Sequence, residues 1–202
     1  MDHQEELMTS SPSRGEVGTT HGAQSDGAPS YPIAIDESTV SSVPAPFRTH
    51  VRRQDIDAIE ELARRAGVFN EEEIDFAREL AEETFAKGEE TSGYYFLFAD
   101  GEHGLDGYAC LGMIPGTNRR CELYWIAVDP QARRRGLGRR LQHAAEDVAR
   151  DLDAVYLIAE TSTVPAYAAA RGFYLSGGFE LIAEVPDWHD DGDGMAIFRK
   201  RL

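Results

Sequence analysis

The chain has 202 residues, and 42% of them are hydrophobic, which suits one globular domain with or without a tail. No apolar stretch approaches the roughly 20 residues that span a bilayer, and the N-terminus lacks the basic start and apolar run of a secretory signal, so we predict a cytoplasmic protein. The formal net charge of −16 disfavours nucleic acid and anionic membranes as partners and favours cationic ligands.

The first 45 residues differ in composition from the rest of the chain. They are rich in Ser, Thr, Gly, Pro and Ala, and their seven acids and single arginine give a charge of −6. Such a segment buries too little apolar surface to offset the entropy of ordering it. We therefore predict a disordered, acidic and polar tail over residues 1–45 and one compact domain over residues 46–202.

Two helices and three strands are predicted in the first half of the domain. Apolar residues recur at helical spacing over Ile56–Ala66, and Gly67 ends that helix. Asn70 and Glu73 have the spacing of a capping box, which begins a second helix that runs to Gly88. The predicted strands are Phe47–Arg52, Tyr94–Ala99 and Gly107–Ile114.

The second half alternates strands with helices. Helices are predicted from Leu137 to Val148 and over Val164–Ser176. The strands are Cys121–Val128, Ala154–Glu160, Phe179–Val185 and Met195–Arg199, with an acidic loop over residues 186–194. The element order β-α-α-β-β-β-α-β-α-β-β predicts an α/β (α+β) protein, with a mixed sheet and helices on both faces. The two cysteines, Cys110 and Cys121, are too few for a disulfide framework or a four-ligand zinc site.

The stretch from Val128 to Leu141 carries the pattern of a phosphate cradle. A strand ends at Val128, and Arg133–Gly138 then leads into a helix whose first N–H groups are free to bind an anion. The GxxxxGK[ST] pattern is absent, and Leu141 stands where a dinucleotide fingerprint needs its third glycine. An RNA-binding patch would have interleaved aromatic residues. A solvated arginine face remains the alternative.

Two motifs resemble the GNAT superfamily of acyl-CoA-dependent N-acetyltransferases. Arg133-x-x-Gly136-x-Gly138 matches the signature R/Q-x-x-G-x-G/A, and residues 170–179 resemble the pattern A-R-x-F-Y-x-x-x-G-F that closes the last helix. The resemblance covers everything except the tail and implies the GNAT-type N-acyltransferase fold. It implies direct transfer of an acetyl group from acetyl-CoA to a primary amine, without a metal, and the negative charge of the chain favours a small cationic acceptor. A non-catalytic acyl-CoA-binding module and a protein- or peptide-directed acetyltransferase are the alternatives, and a homodimer is left open.

The resemblance also assigns residues to the co-substrate. In the family, the strand before the loop splays from its neighbour and binds the thioester and pantetheine arm, so the N–H near Ile126 would polarise the thioester carbonyl. Backbone amides of the following loop would hold the pyrophosphate, with the side chains of Arg134 and Arg135 as further candidates. The implied cofactor-binding residues are Ile126, Ala127, Val128, Arg133, Arg134, Arg135, Gly136, Leu137, Gly138 and Arg139.

Glu122 is the candidate general base. Several family members place a strand carboxylate at this position, and attack by a neutral amine needs a group that accepts its proton. A surface acid at the end of a strand is the alternative. Strand alternation predicts that four side chains share one face: Glu122, Tyr124, Ile126 and Val128.

Tyr174 is the candidate general acid. It stands where the family usually has a phenol that points at the sulfur of CoA, and a packed helix aromatic is the alternative. Tyr167 stands where many relatives have an asparagine that contacts the CoA arm, so this contact differs here. Trp125 is predicted to pack in the core.

The acidic loop at residues 186–194 is the candidate acceptor-binding segment. Trp188 and Asp190 would suit a cationic amine, by stacking and by charge. A calcium loop of the EF-hand type is excluded, because His189 and Phe198 stand at positions 3 and 12 of that pattern. A solvated acidic turn is the alternative.

Overall fold

The computed structural model of the protein describes residues 47–102, 104–133 and 135–202. The predicted tail over residues 1–45 lies outside the described residues. None of the helices in these three ranges is long and apolar enough to span a membrane.

Five α-helices and six strands make up the described part of the chain. The helices are α1 (Arg53–Ala66), α2 (Glu71–Lys87), α3 (Glu89–Ser92), α4 (Leu137–Asp151) and α5 (Ala168–Ser176). The strands are β1 (Tyr94–Gly101), β2 (Gly104–Met113), β3 (Arg120–Val128), β4 (Tyr156–Ser162), β5 (Glu180–Asp190) and β6 (Asp193–Arg201). The order of helices and strands follows the prediction, apart from the first strand and the additional short helix α3.

The six strands form one mixed sheet in the order β1-β2-β3-β4-β6-β5. The pair β3–β4 is parallel, and the other neighbouring pairs are antiparallel. Apolar side chains of α1 and α2 pack on one face of the sheet, and those of α4 and α5 pack on the other. Both faces of β2 are therefore buried, and helices lie on both faces of the mixed sheet, as predicted.

The helix boundaries at Gly67 and Asn70 are confirmed. Gly67 has φ +72°, the left-handed conformation that ends α1. The Glu73 N–H donates to the Asn70 side chain at 2.9 Å, and the Asn70 N–H donates to the Glu73 carboxylate at 2.7 Å. Two free N–H groups at the start of α2 are thus satisfied reciprocally.

The predicted strand over Phe47–Arg52 is wrong. Only Arg48 pairs with the sheet, through a two-way backbone bridge to Phe98. The Arg48 guanidinium donates to both carboxylate oxygens of Asp55, at 2.7 and 2.8 Å, and both side chains are buried. Asp55 also accepts the N–H of Arg52 at 2.6 Å, so the chain turns into α1 where a strand would have continued.

The predicted loop over residues 186–194 is instead the end of a β-hairpin. β5 continues to Asp190 and β6 begins at Asp193, with an irregular register beyond Val185. Asp187 has φ +52°, and its carboxylate accepts the N–H of Gly192 at 2.7 Å. This bond folds the polar segment back on itself, and alternation of apolar residues could not reveal it.

Candidate functional site

Strands β3 and β4 separate soon after they meet. They pair only where Arg120–Glu122 lies beside Tyr156–Ile158, and the rest of each strand diverges. A cavity of about 670 Å³ lies in the wedge between them. Its wall includes Glu122–Val128 of β3, Glu160–Ser162 of β4, Gly136 with the first three residues of α4, and Phe173–Tyr174 of α5. The edge of β3 that faces β4 therefore has backbone groups without a strand partner after Glu122.

The N-terminus of α4 opens into this cavity. Gly136 has φ +74° and directly precedes the helix. The first hydrogen bond of the helix runs from the Arg140 N–H to the Gly136 carbonyl, at 3.1 Å. The N–H groups of residues 137–139 lack a partner within the helix, and the helix dipole adds positive potential at this end. This arrangement suits a phosphate group, as the sequence pattern predicts.

The arginines around this helix start have different surroundings. Arg133 lines the cavity, and its Nε donates to the Val128 carbonyl at 3.3 Å. The Arg139 side chain donates to the Phe173 carbonyl and stacks over the Phe173 ring at 4.7 Å, so it ties α4 to α5. Arg135 is exposed and does not line the cavity. Arg134 lies outside the described residues.

A β-bulge at Tyr124 corrects the predicted face of β3. Cys110 pairs with Trp125 and Leu111 with Leu123, so Tyr124 is the additional residue.

Two apolar clusters lie on the two faces of the sheet. The α1–α2 cluster consists of Ile56, Ile59, Leu62, Ala77, Leu80, Ala81, Phe96, Phe98, Leu105, Tyr108, Cys110, Trp125 and Ala127, and the α4 cluster is the one on the other face that contains Leu137, Leu141, Ala144, Ala145 and Val148. Tyr124 packs with the α1–α2 cluster, whereas Ile126 and Val128 pack with the α4 cluster. Glu122 and Tyr124 thus do not share a face with Ile126 and Val128, because the bulge reverses the alternation. The four side chains still line one cavity, since the cavity passes between the splayed strands.

Glu122 has the electrostatics of a neutral-pH proton acceptor. Burial raises its pKa to about 7, and the negative charge of Glu160 contributes to the rise. Glu160 lines the same cavity from β4, two residues beyond the partner of Glu122 in the parallel register. A carboxyl group with this pKa is partly ionised near pH 7 and can accept a proton there. Sequence reasoning missed Glu160, and only the register of β3 on β4 could have indicated it.

Tyr174 lines the same cavity from α5. It is 6% exposed and packs against the rings of Phe173, Phe179 and Phe198. Burial raises the pKa of its phenol above the ordinary value, so the hydroxyl stays protonated at neutral pH. A protonated phenol in an apolar wall can donate a hydrogen bond or a proton to a group in the cavity.

Tyr167 joins two walls of the cavity. Its hydroxyl donates to both carboxylate oxygens of Glu73, at 2.8 Å each, and its ring meets the edge of Phe69. Tyr167, Glu73 and Phe69 all line the cavity. The Glu73 carboxylate, which caps α2, therefore also holds the segment before α5 through its hydrogen bonds with Tyr167. Sequence analysis assigned Glu73 only to the cap, because spacing does not show a contact across 94 positions.

Substituting Tyr167 by phenylalanine is expected to lower the free energy of unfolding by about 1 kcal/mol, since a hydrogen bond to a charged group is lost at a partly exposed site. Chemical denaturation measures this change. Tyr94→Phe is the matched control, because the Tyr94 hydroxyl has no hydrogen-bond partner among the described residues. Equal stability of the two variants would contradict a stabilising role for the Tyr167–Glu73 contact.

The candidate acceptor residues lie at the surface on either side of His189, a residue of the cavity lining. Trp188 is 59% exposed, and the Asp190 carboxylate accepts the N–H of Asp191 at 2.8 Å. Neither residue lines the cavity, whereas His189 between them does. The extension of β5 thus turns His189 towards the site and leaves Trp188 at the surface.

Comparisons with known proteins agree with this geometry. Residues 56–179, more than half of the chain, match the model of the acetyltransferase (GNAT) family. A solved GNAT-family protein from Desulfovibrio desulfuricans is 37% identical, with a TM-score of 0.74 over 77% of this chain and 97% of its own. A search of curated proteins gives no match.

Two more distant structures share the fold. The ribosomal-protein-S18-alanine N-acetyltransferase of Escherichia coli is 22% identical, with a TM-score of 0.58 over 77% of this chain and 94% of its own. The PaiA N-acetyltransferase of Thermoplasma acidophilum, solved with coenzyme A, is 21% identical, with a TM-score of 0.57 over 77% and 99%. The family match agrees with the divergence of β3 from β4 and with the glycine that precedes α4. The chain belongs to the GNAT acetyltransferase family.

Proposed function

We propose that the protein transfers an acetyl group from acetyl-CoA directly to a primary amine on a small cationic acceptor. The observation that carries the proposal is one cavity that contains the free edge of β3, the N-terminus of α4, and the side chains of Glu122 and Tyr174. The location of the protein in the cytoplasm stays a prediction, and its assembly as a homodimer stays open.

The free edge of β3 and the N-terminus of α4 support acyl-CoA as the co-substrate. Ile126, Ala127 and Val128 would bind the pantetheine arm along the unpartnered edge of β3. The free N–H groups after Gly136 would hold the pyrophosphate. The same fold in Thermoplasma acidophilum binds coenzyme A. Bound acetyl-CoA would supply the activated acetyl group as a thioester.

Glu122 and Tyr174 would handle the two protons of the reaction. The amine nitrogen forms a bond to the acetyl carbon, and the bond from that carbon to sulfur breaks. Glu122 accepts the proton that the amine loses, directly or through water, because its pKa of about 7 lies near the working pH. Tyr174 donates a proton to the departing sulfur and regains one from solvent. No covalent intermediate with the protein forms.

Negative charge in the cavity supports a cationic acceptor. Glu73, Glu122 and Glu160 line the cavity together with the rings of Phe69 and Tyr124. Carboxylates and aromatic faces both attract an ammonium group. Trp188 and Asp190 would act at the outer rim.

Tyr174→Phe tests the proposal. We expect kcat for acetyl transfer to fall about 100-fold, at the lower end of the range for a lost general acid, because a thiolate is a good leaving group. Acetyl transfer to a panel of amines and diamines, followed by mass spectrometry and thiol release, measures the change. Tyr95→Phe is the control, since Tyr95 lies outside the cavity lining. Stabilisation by acetyl-CoA without acetylation of any amine would instead identify an acyl-CoA-binding module.

A further inference from the structure

In the described part of the chain, α1 and α2 leave one face of β4 and β6 uncovered, beside Glu160 of the cavity. Helices α1 and α2 lie over β1, β2 and β3, and the α1–α2 cluster contains no residue of β4, β5 or β6. The register of β4 with β3 and with β6 places side chains of the three strands next to one another in rows across this open face. The row members are Arg120 and Glu122 of β3, Tyr156, Ile158 and Glu160 of β4, and Ile197, Arg199 and Arg201 of β6.

Three guanidinium groups gather at the end of this face that is remote from the cavity. Arg120 and Arg199 each lie 4.8 Å from the centre of the Tyr156 ring, and Arg201 lies 5.7 Å from it. Arg201 also donates to the Tyr156 hydroxyl at 3.3 Å. We call these four residues the arginine cluster.

The positive charge of the arginine cluster is only partly neutralised. Arg199 pairs with Glu180 at 2.5 Å. Arg120 donates to the backbone carbonyls of Asn118 and Arg119, and within the described ranges neither Arg120 nor Arg201 has a carboxylate partner. Like charges held together without counter-charges are unfavourable, so the cluster is suited to an external anion. It stands out in a chain whose net charge is −16.

The two ends of the open face thus have opposite charge. Glu160 lines the cavity at one end, and Tyr156 lies four residues earlier on the same strand. At about 3.3 Å per residue, the two ends are roughly 13 Å apart. Ile158, which is half-buried, lies between them and offers an apolar surface to the middle of a ligand, and Ile197 lies beside Glu160.

Resting on the proposed acetyl transfer to a primary amine, we propose that the acceptor is a short extended peptide, whose terminal ammonium group is the cationic part that the cavity binds. Its free amino group enters the acidic cavity, and a carboxylate roughly 13 Å away binds the arginine cluster. The planar fork of arginine matches a carboxylate in two-point hydrogen bonding. The spacing suits either the C-terminus of a tetrapeptide or an acidic side chain at the fourth position of a longer peptide, because both present a carboxylate at that distance.

The test compares acetylation of peptides that differ in one charge. Tetraglycine and tetraglycine amide probe the terminal carboxylate, and the pentapeptide amides Gly-Gly-Gly-Glu-Gly and Gly-Gly-Gly-Gln-Gly probe the side chain. In one of the two pairs, we expect kcat/KM to be at least tenfold higher for the peptide with the additional carboxylate, through a lower KM. The pair that responds identifies the source of the carboxylate.

A variant with Arg120→Gln and Arg201→Gln is expected to lose this preference while kcat with the uncharged peptide is unchanged. The matched control is Arg64→Gln with Arg150→Gln, which removes the same charge from exposed sites on α1 and α4. Equal kcat/KM within both wild-type pairs, or a preference that survives in the cluster variant, would overturn the inference.

The inference and the proposed function can fail separately. Acetylation of diamines but of no peptide would overturn the peptide acceptor and leave the acetyltransferase in place. Absence of both acetylation and stabilisation by acetyl-CoA would overturn the proposed function, and the peptide acceptor with it.

Discussion

Gly136→Val is expected to abolish the stabilisation of the protein by acetyl-CoA. At a ligand concentration of 100 times Kd, the wild-type protein should gain about 2.7 kcal/mol of stability, measured as a rise in Tm. Gly136 has φ +74°, a conformation that a β-branched residue avoids, so valine should displace the start of α4 and its free N–H groups. The pyrophosphate would then lose its donors.

Gly116→Val is the control for the backbone strain. Gly116 also has φ +74°, and at both glycines an added Cβ would meet no atom within 4 Å. Both variants should therefore lose a similar amount of intrinsic stability, about 1–2 kcal/mol or more. Only Gly136→Val should lose the response to acetyl-CoA, because Gly116 does not line the cavity. An unchanged Tm shift in Gly136→Val would refute the assigned pyrophosphate site.

Glu122→Gln is expected to lower kcat/KM by about 10²- to 10⁴-fold, the usual range for a lost general base. In the wild-type protein the carboxylate form is active, so activity should fall about tenfold per unit as pH decreases below 7. This acid limb should be absent in the variant. Glu184→Gln, an exposed acid on β5, should keep the wild-type profile.

As pH rises, Glu122→Gln should gain stability relative to wild type, although the substitution lowers the activity. The folded state raises the pKa of Glu122 to about 7 from an ordinary 4.5, so it holds the proton more tightly than the unfolded chain does. Wild-type stability is therefore lost as pH rises from about 4.5 to 7, and Glu122→Gln avoids that loss because its amide does not titrate. The unfolding free energy of the variant relative to wild type should increase over this window. An equal pH dependence would argue against a buried carboxyl.

Local signals in the sequence were sufficient for most elements of the fold. The capping box at Asn70, the glycine that ends α1 and the loop before α4 each depend on residues within a few positions of one another. Periodicity located α4 and five of the six strands within a few residues. The family resemblance, drawn from two short motifs, indicated the splay of β3 from β4, which no local pattern contains.

Features that depend on partners distant in sequence were missed. The bulge at Tyr124 follows from the pairing of β3 with β2, and uninterrupted alternation gave the wrong face for Ile126 and Val128. Glu160 joins Glu122 only through the parallel register with β4. The strand predicted over Phe47–Arg52 was wrong because the position of Arg48 is set by its backbone bridge to Phe98 and its salt bridges with Asp55 and Asp100. Local alternation of residues does not show these contacts.

The bulge at Tyr124 has a consequence for insertions and deletions. Deleting this one residue would leave the pairs Cys110–Trp125 and Leu111–Leu123 in place and restore regular pairing with β2, so the residues from Trp125 to Val128 would keep their present faces. The cavity would lose the Tyr124 ring, and the chain between Glu122 and the glycine before α4 would be one residue shorter. A homologous chain without the bulge is therefore correctly aligned only when a one-residue gap is placed at Tyr124, because an ungapped alignment would assign the residues after it to the wrong faces of the sheet.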